Sequence, residues 1–225
     1  MIDEKSNNRV DFNHHQLGII DFFDKHANHW ENYTSTDIIS RAEKLLDLVT
    51  INTGDTVLDV GCGIGVLIPY LTKRIGEKGV LIEVDISSKM LQVGMKKTHR
   101  ENIYWLTADG HFLPLKTEST NVVICYAVFP HFTNKDIAIK EISRVLKPGG
   151  ILGICHSHSS IEINKIHKNI GGIVENHCIP EISKIKNWCE NSGMEISHYQ
   201  DGENGYLLIA VKKHPLEFLE PNTES

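Results

Sequence analysis

Hydrophobic and polar positions divide the chain into two kinds of segment. Short apolar runs rich in Val, Ile and Leu are typical of parallel strands that are buried on both faces. Between these runs, apolar residues recur every three or four positions, as in helices with one buried face. The alternation of the two predicts a doubly wound, mostly parallel α/β sheet. The apolar runs span residues 56–59, 80–85, 103–107, 121–126 and 151–155.

Two more strands are expected near the end of the chain. The apolar segments 194–199 and 206–211 are separated by Asp-Gly-Glu-Asn-Gly, a run of residues that favour turns. This pattern predicts a β-hairpin. The complete expectation is a seven-stranded, mostly parallel sheet with a terminal antiparallel β-hairpin.

Capping residues predict where two of the helices begin. Thr36 precedes a segment whose apolar residues share one helical face, so it is the predicted N-cap of that helix. Ser159 and Glu162 have the spacing of a capping box at the start of another helix. The apolar face of that second helix, predicted to pack against the core, consists of Ile163, Ile166 and Ile170.

A glycine-rich turn follows the first predicted strand. Asp59 ends the strand, and Gly61, Gly63 and Gly65 follow it in the segment Gly-Cys-Gly-Ile-Gly. Glycine has no Cβ and tolerates positive φ, so backbone in such a turn can come very close to a ligand. The helix after the turn offers free N–H groups to an anion. The second strand ends in Asp85, where a nucleotide-binding βαβ unit places an acid for a ribose.

These residues resemble the first motif of class I S-adenosylmethionine (SAM) dependent methyltransferases. Later motifs of that family are matched in the same order by residues 84–87 with 90–91, 108–110 with 113–114, and 146–150. Together they cover about residues 40–212. Val66 stands where the NAD fingerprint G-x-G-x-x-G has its third glycine, so a dinucleotide is the weaker interpretation.

The resemblance implies a role for each predicted site residue. Asp59 and the turn would hold the amino-acid end of SAM, and Asp85 would accept from both ribose hydroxyls. Ile86 and the turn after Ala108 would enclose the adenine, with Asp109 accepting from its amine. Any one of these acids is alternatively a helix cap. The full cofactor set is Asp59, Gly61, Cys62, Gly63, Gly65, Asp85, Ile86, Met90, Ala108, Asp109, Gly110 and Tyr126.

The resemblance also suggests a division of the chain. Residues 1–35 form a helical leader, 36–213 the SAM-binding methyltransferase domain, and 214–225 a polar tail. A short helix is expected over 17–23. In the family such a leader often folds over the cofactor as a lid; the alternative is a peripheral helix that covers a sheet edge.

Histidines follow several of the predicted strands, among the 13 in the chain. His131 and His156 come after the fourth and fifth strands, and His167 lies on the next helix. We expect these three to line one acceptor pocket that faces the SAM methyl group, as general bases or as metal ligands. Alternatively, each bonds a loop carbonyl and they never meet. Their spacing matches no standard zinc motif.

Composition narrows the classes of partner. The net charge is −6 and no long basic run occurs, which argues against nucleic acid. No apolar run approaches the roughly 20 residues of a membrane span. Five cysteines form no C-x-x-C pair, and the N-terminus shows no signal-peptide pattern, so a reducing cytoplasm is expected.

The leading functional hypothesis is a SAM-dependent methyltransferase that acts on a small molecule. The acceptor atom, the identity of the acceptor and the oligomeric state stay open. A nucleotide-dependent oxidoreductase on a similar sheet is one alternative. A SAM-binding module with a regulatory role is another, since binding motifs and catalysis are separable.

Overall fold

The computed structural model describes residues 4–214, with side chains from residue 15 onward. Nearly all of the expected polar tail, 214–225, therefore lies outside the described residues. The helices are α1 (Glu4–His26), α2 (Thr36–Leu46), α3 (Ile68–Ile75), α4 (Ser88–Met95), α5 (Lys135–Val145), α6 (Ser160–Ile170) and α7 (Ile182–Asn191). Three 3₁₀ helices span Ala27–Tyr33, Phe129–His131 and Gly172–Val174.

One sheet of seven strands forms the centre of the described part of the chain. Its order is β3-β2-β1-β4-β5-β7-β6, with the first five strands parallel and β7 antiparallel to both β5 and β6. The predicted doubly wound sheet with its terminal hairpin is confirmed. The strands are β1 (Thr56–Val60), β2 (Val80–Asp85), β3 (Ile103–Thr107), β4 (Thr120–Tyr126), β5 (Leu146–His156), β6 (Met194–Gly202) and β7 (Gly205–Lys212).

Helices cover both faces of this sheet because successive strand residues point to opposite sides. Leu58 and Val123 belong to the apolar layer that includes residues of α5 and α7. Val57 and Ile124, their chain neighbours, belong to the layer that includes residues of α2 and α3. The fully apolar centre of β4 follows from this burial on two sides. The carboxyl ends of the parallel strands are left to meet at one edge.

The structure corrects three predictions about helices. Ser35, not Thr36, is the N-cap of α2, because its hydroxyl accepts from the Ile38 N–H at 3.4 Å. The leader helix α1 runs over Glu4–His26 and is much longer than 17–23. The predicted capping box of Ser159 at α6 is confirmed.

The third correction concerns the apolar face of α6. Ile163 is buried, but Ile166 and Ile170 are 40% and 55% exposed. Both line a cavity instead of packing into the core. Helical periodicity identifies an apolar stripe, but it does not say whether protein or a ligand covers it. Among residues 4–214, no helix has the length and apolar character needed to cross a bilayer.

Candidate functional site

A cavity of about 440 Å³ lies where the strands β1, β2, β4 and β5 end. Its volume is within the range of small-molecule sites, and its position is the one at which open α/β sheets bind ligands. Residues of α1 and of the following 3₁₀ helix cover it. Ten of the twelve predicted cofactor residues line this cavity: Gly61, Cys62, Gly63, Asp85, Ile86, Met90, Ala108, Asp109, Gly110 and Tyr126.

The other two predicted cofactor residues, Asp59 and Gly65, do not line the cavity. Asp59 is buried at the end of β1, in register with Glu83 of β2. Gly65 packs behind the turn, where a Cβ would meet Ile68 and Trp105. The predicted direct contact of these two residues with the cofactor is therefore not supported by their positions.

Close packing explains the first glycine of the turn. Gly61 has φ +70°, and a Cβ there would lie 2.5 Å from the Cβ of Val128. Gly63 has φ +57°, and its Cβ would lie 3.7 Å from Trp30 Nε1 of the covering helix. Gly61 is thus required by the packing of Val128, whereas Gly63 lines the cavity and a Cβ there would only contact Trp30.

We expect Gly61→Ala to lower the free energy of unfolding by about 2–4 kcal/mol, since steric overlap adds to backbone strain. Gly193→Ala is the matched control, because Gly193 has φ +74° but nothing lies within 4 Å of its added Cβ. Urea denaturation measures both. The double variant Gly61→Ala with Val128→Gly, which removes the overlapping Cβ and both γ-carbons, should recover part of the loss. Equal losses at Gly61 and Gly193 would show that overlap with Val128 is unimportant.

Asp85 connects the turn to the second strand. One carboxylate oxygen accepts from the Gly63 N–H and the other from the Ser87 N–H, each at 2.8 Å. Burial raises the pKa of Asp85 to about 6, although these N–H donors oppose the shift. Each oxygen keeps a second lone pair, so the carboxylate can still accept from ligand hydroxyls.

Asp109 lies in a denser network of hydrogen bonds. It accepts from the backbone N–H of His111 at 3.0 Å, from the His111 ring at 2.5 Å, and from the Gln16 amide of α1. Burial alone raises the pKa of Asp109, but these donors outweigh it and the net shift is downward. Since His111 Nδ1 donates to Asp109 and its Nε2 accepts from the Asn134 N–H at 3.2 Å, this imidazole has a structural role.

Beneath the turn, two carboxyl groups are buried side by side. Asp59 and Glu83 are at most 1% exposed, and none of their carboxyl oxygens has a hydrogen-bond partner within the described residues. Burial raises the pKa of Asp59 to about 8, and the charge of Asp85 adds to the shift. Burial also holds the pKa of Glu83 well above its ordinary value. The pair is therefore largely protonated near neutral pH.

This burial predicts a stability that depends on pH. The folded chain keeps the Asp59 proton to about pH 8, whereas the ordinary pKa is 3.8. The free energy of unfolding should therefore fall as pH rises between these values. We expect Asp59→Asn to be more stable than wild type at pH 8, with a smaller gain at pH 5. Asp136→Asn, at an exposed position, is the control and should show no such change in stability with pH. If the gain from Asp59→Asn is the same at pH 5 and pH 8, the buried Asp59 carboxyl is not the cause.

The three predicted histidines, His131, His156 and His167, all line the cavity. The rings of His131 and His167 have centroids 4.8 Å apart. His156 is buried, and its Nε2 has no hydrogen-bond partner within the described residues. His167 Nδ1 donates to the His177 carbonyl at 2.5 Å, which leaves Nε2 as its acceptor. The wall thus contains one acceptor nitrogen, His167 Nε2, and one buried ring nitrogen, His156 Nε2, that lacks a partner within the described residues.

Burial keeps these imidazoles neutral. It lowers the pKa of His131 well below the usual value, with the nearby His167 and His177 acting in the same direction. It lowers the pKa of His156 to about 3. The pKa of His167 also falls, although its bond to the His177 carbonyl opposes the shift. Within residues 15–214, no group of three or more His, Cys, Asp or Glu side chains is arranged to hold a metal ion.

Sequence reasoning missed two features of this wall. His177 lies in the segment after α6 and hydrogen-bonds both His131 and His15. The one signal in the sequence for this role was the presence of a histidine in the short segment between Gly172 and Pro180. Ala127, directly after β4, has φ +56°, a conformation that side chains disfavour and that often occurs at functional sites.

The N-terminal helix contacts residues of the predicted cofactor site. Asp24 accepts from the Ser87 hydroxyl at 2.5 Å and pairs with Lys89 at 3.6 Å. The ring of Phe23 packs edge-on against His131, with centroids 5.2 Å apart. Helix α1 therefore covers both the Asp85 end and the histidine end of the cavity.

An open α/β sheet with a glycine turn after its first strand, an acid after its second and a terminal antiparallel hairpin is the methyltransferase fold that the sequence motifs predicted. A family model described as a methyltransferase domain matches residues 58–154. The matched segment is less than half of the chain, and it runs from the first strand, just before the glycine turn, to β5.

Individual proteins that are similar to this chain include methyltransferases. The chain is similar to the ubiquinone/menaquinone biosynthesis C-methyltransferase of Blochmanniella floridana, with 31% identity over 175 residues. That alignment covers 76% of this chain and 64% of the relative, which is less than two thirds of its length.

Two solved structures share the fold. A chain in the complex of the Haloferax volcanii Trm112 methyltransferase activator with a methyltransferase has a TM-score of 0.75 at 19% identity, covering 85% of this chain and 98% of that one. A SAM-dependent methyltransferase from Aquifex aeolicus has a TM-score of 0.63 at 23% identity, covering 78% and 90%.

Proposed function

We propose that this protein transfers a methyl group from SAM to a small, largely apolar acceptor that loses a proton in the reaction. One observation supports this most directly. The cavity has the glycine turn and Asp85 on one side and three neutral imidazoles, His131, His156 and His167, on another. Such a cavity can hold an electrophile and accept a proton within one enclosed space.

The chemistry of the residues present fits SAM. Gly61, Cys62 and Gly63 line the cavity, so the amino-acid end of SAM would lie beside the turn. Asp85 retains free acceptor lone pairs for ribose hydroxyls, and Asp109 does so for the adenine amine. SAM, when bound, supplies an electrophilic methyl group on a sulfonium that leaves as a neutral thioether, S-adenosylhomocysteine.

The apolar lining points to the type of acceptor. Phe22, Phe132, Ile166 and Ile170 line the cavity, and the two isoleucines are exposed although they are apolar. A hydrophobic acceptor would bury that surface, at about 25 cal/mol per Å². The relatedness to a C-methyltransferase supports an aromatic ring whose carbon is activated by loss of a hydroxyl proton.

Neutral imidazoles suit that task. Methyl transfer needs an acceptor lone pair or electron-rich carbon in line with the methyl group, and removal of one proton. His167 presents an acceptor at Nε2 because its Nδ1 is committed to a carbonyl. His156 also lines the cavity, and its buried Nε2 has no partner within the described residues. The buried surroundings exclude water, so the acceptor is oriented by these few groups.

Labelled SAM tests the proposal. The protein is incubated with methyl-labelled SAM and 1,4-naphthohydroquinone, an apolar aromatic ring with ionisable hydroxyls, and the organic extract is analysed for labelled product. Calorimetry with SAM and with NAD is run beside it. We expect SAM binding and a methylated ring. NAD binding without SAM binding would support an oxidoreductase, whereas SAM binding without turnover of any aromatic acceptor would support a regulatory module.

We further propose that residues 1–35 act as a lid over the cofactor. The contacts of Asp24 with Ser87 and Lys89, together with the bond from Gln16 to Asp109, support this role. While these contacts hold, helix α1 covers the cavity. Cofactor exchange would therefore require α1 to move away.

Asp24→Asn is expected to speed the release of S-adenosylhomocysteine several-fold, because it removes a charge-assisted bond that keeps α1 docked. Stopped-flow fluorescence measures the rate. Asp21→Asn is the matched control on the same helix, since Asp21 is exposed and pairs with Lys25 alone among the described side chains. Equal release rates in both variants would mean that the docked helix does not retain the cofactor.

A further inference from the structure

Three histidines form a line of ring-to-ring hydrogen bonds that begins at the cavity wall. His131 Nδ1 lies 2.8 Å from His177 Nδ1. His177 Nε2 lies 3.0 Å from His15 Nε2. Both separations fit a nitrogen donor and its acceptor. His131 lines the cavity, whereas His177 and the half-buried His15 lie behind that wall. The line thus leads from the cavity to helix α1.

We propose that His131, His177 and His15 form a proton relay that carries the proton lost by the methyl acceptor away from the cavity. The proposal rests on the proposed function, because it needs an acceptor that loses a proton when it is methylated. His131 would take the proton from the acceptor. His177 and His15 act through His131 and are therefore positioning residues.

A single set of neutral tautomers satisfies every bond in the relay. A neutral imidazole has one N–H donor and one acceptor nitrogen. With its proton on Nδ1, His131 donates to Nδ1 of His177, and His177 then donates from Nε2 to Nε2 of His15. His131 Nε2 is left as an acceptor at the inner end. The Nδ1–H of His15 is left as a donor at the outer end.

One turnover moves one proton along each bond. The acceptor's proton bonds to His131 Nε2 while the Nδ1 proton of His131 passes to His177 Nδ1. The Nε2 proton of His177 passes to His15 Nε2, and the Nδ1 proton of His15 leaves to water. Each ring ends neutral in its other tautomer, so no charge is left in the wall. Ring rotation and proton exchange with water restore the starting tautomers.

The surroundings explain why a relay is needed. Burial, with the nearby His15, Lys135 and His167 acting in the same direction, lowers the pKa of His177 to about 4. Burial likewise lowers the pKa of His131, where His167, His177, His156 and Lys135 add to the effect. An imidazolium held in this wall is unfavourable, so an isolated histidine would be a weak base. Passing the proton onward removes that penalty.

Two contacts hold the relay in place. His167 of α6 donates to the His177 carbonyl and so anchors the segment that carries His177. The outer member, His15, belongs to α1, which also contacts the predicted cofactor site through Gln16. The relay is therefore complete only while α1 is docked, so proton release is coupled to closure over the cavity.

Histidine NMR tests the geometry without any methyl acceptor. In full-length protein labelled with ¹⁵N-histidine, we expect His131 and His15 protonated at Nδ1 and His177 at Nε2, with N–N couplings across both hydrogen bonds. Single variants His15→Gln and His177→Gln assign the signals. Absence of both couplings, or a positive charge on His177 at pH 7, would overturn the relay, whatever the protein methylates.

Kinetics test the function. With methyl-labelled SAM and 1,4-naphthohydroquinone, we expect His15→Ala to lower kcat by about tenfold or more and to leave SAM affinity unchanged. Added imidazole should restore most of this rate, because it replaces the missing proton acceptor; a purely structural loss would not respond. His99→Ala, at an exposed position away from the cavity, should match wild type with or without imidazole.

The outcomes of the two experiments are separable. Wild-type rate in His15→Ala, or a reduced rate that imidazole does not restore, would overturn the relay. Absence of methylated product from the wild-type protein would instead count against the proposed acceptor, and the NMR couplings would then decide the relay by themselves.

Discussion

Asp85→Asn is expected to weaken SAM binding by about 100-fold or more. The carboxylate receives the Gly63 and Ser87 N–H groups at 2.8 Å and would also accept from the ribose. An asparagine amide turns an N–H₂ group toward one of these donors. Each lost bond to a buried group costs about 1–3 kcal/mol, and about 1.4 kcal/mol corresponds to tenfold in affinity. Two such losses give the expected effect.

Calorimetry with SAM at pH 7.5 measures this change, and Asp21→Asn, on the exposed face of α1, is the control. Circular dichroism checks that Asp85→Asn is folded. In the wild-type protein, affinity should also fall as pH is lowered through about 6, the raised pKa of Asp85, because a protonated carboxyl loses acceptor capacity. The variant should lack this pH dependence. Unchanged affinity in a folded Asp85→Asn protein would place the ribose elsewhere.

His131→Ala is expected to lower kcat by about 100-fold or more while SAM affinity stays within about twofold. A general base typically contributes 100-fold to 10,000-fold. His131 lines the cavity and contacts Phe23, His167 and His177, but it makes no hydrogen bond to the glycine turn or to Asp85. Loss of turnover without loss of SAM binding would therefore show that the histidine side of the cavity serves the acceptor, and that the side with the glycine turn and Asp85 serves the cofactor.

Initial rates with saturating SAM and 1,4-naphthohydroquinone measure kcat, and calorimetry measures SAM affinity. His131→Gln is the companion variant, because it keeps a polar side chain of similar reach but cannot relay a proton. Thermal denaturation excludes simple unfolding. If His131→Ala keeps wild-type kcat, the base is His156 or His167, and the relay is not used.

Local patterns determined the architecture of this protein. Apolar runs with turn residues between them predicted all seven strands, because a parallel strand buried on both faces must be apolar along its length. The glycine turn and the acid at the end of β2 were also predicted from the sequence. The backbone conformations and strand ends that they require are local properties.

The candidate site was only partly predicted from the sequence. Ten of the cofactor residues predicted from sequence motifs line the cavity, but the motifs could not tell that Asp59 lies beneath the turn beside Glu83. That juxtaposition depends on the register of β1 against β2, and register is set by pairing between distant segments. The exposure of Ile166 could not be predicted either, because periodicity does not identify what covers a face.

The sequence by itself thus determined the sheet, its order of elements and the chemistry available at the strand ends. Only the tertiary structure decided which histidines meet. His15 and His177 are 162 positions apart in the chain, and they approach each other because α1 docks over the segment that follows α6. Such contacts between distant segments depend on packing of the whole chain, and no short stretch of sequence encodes them.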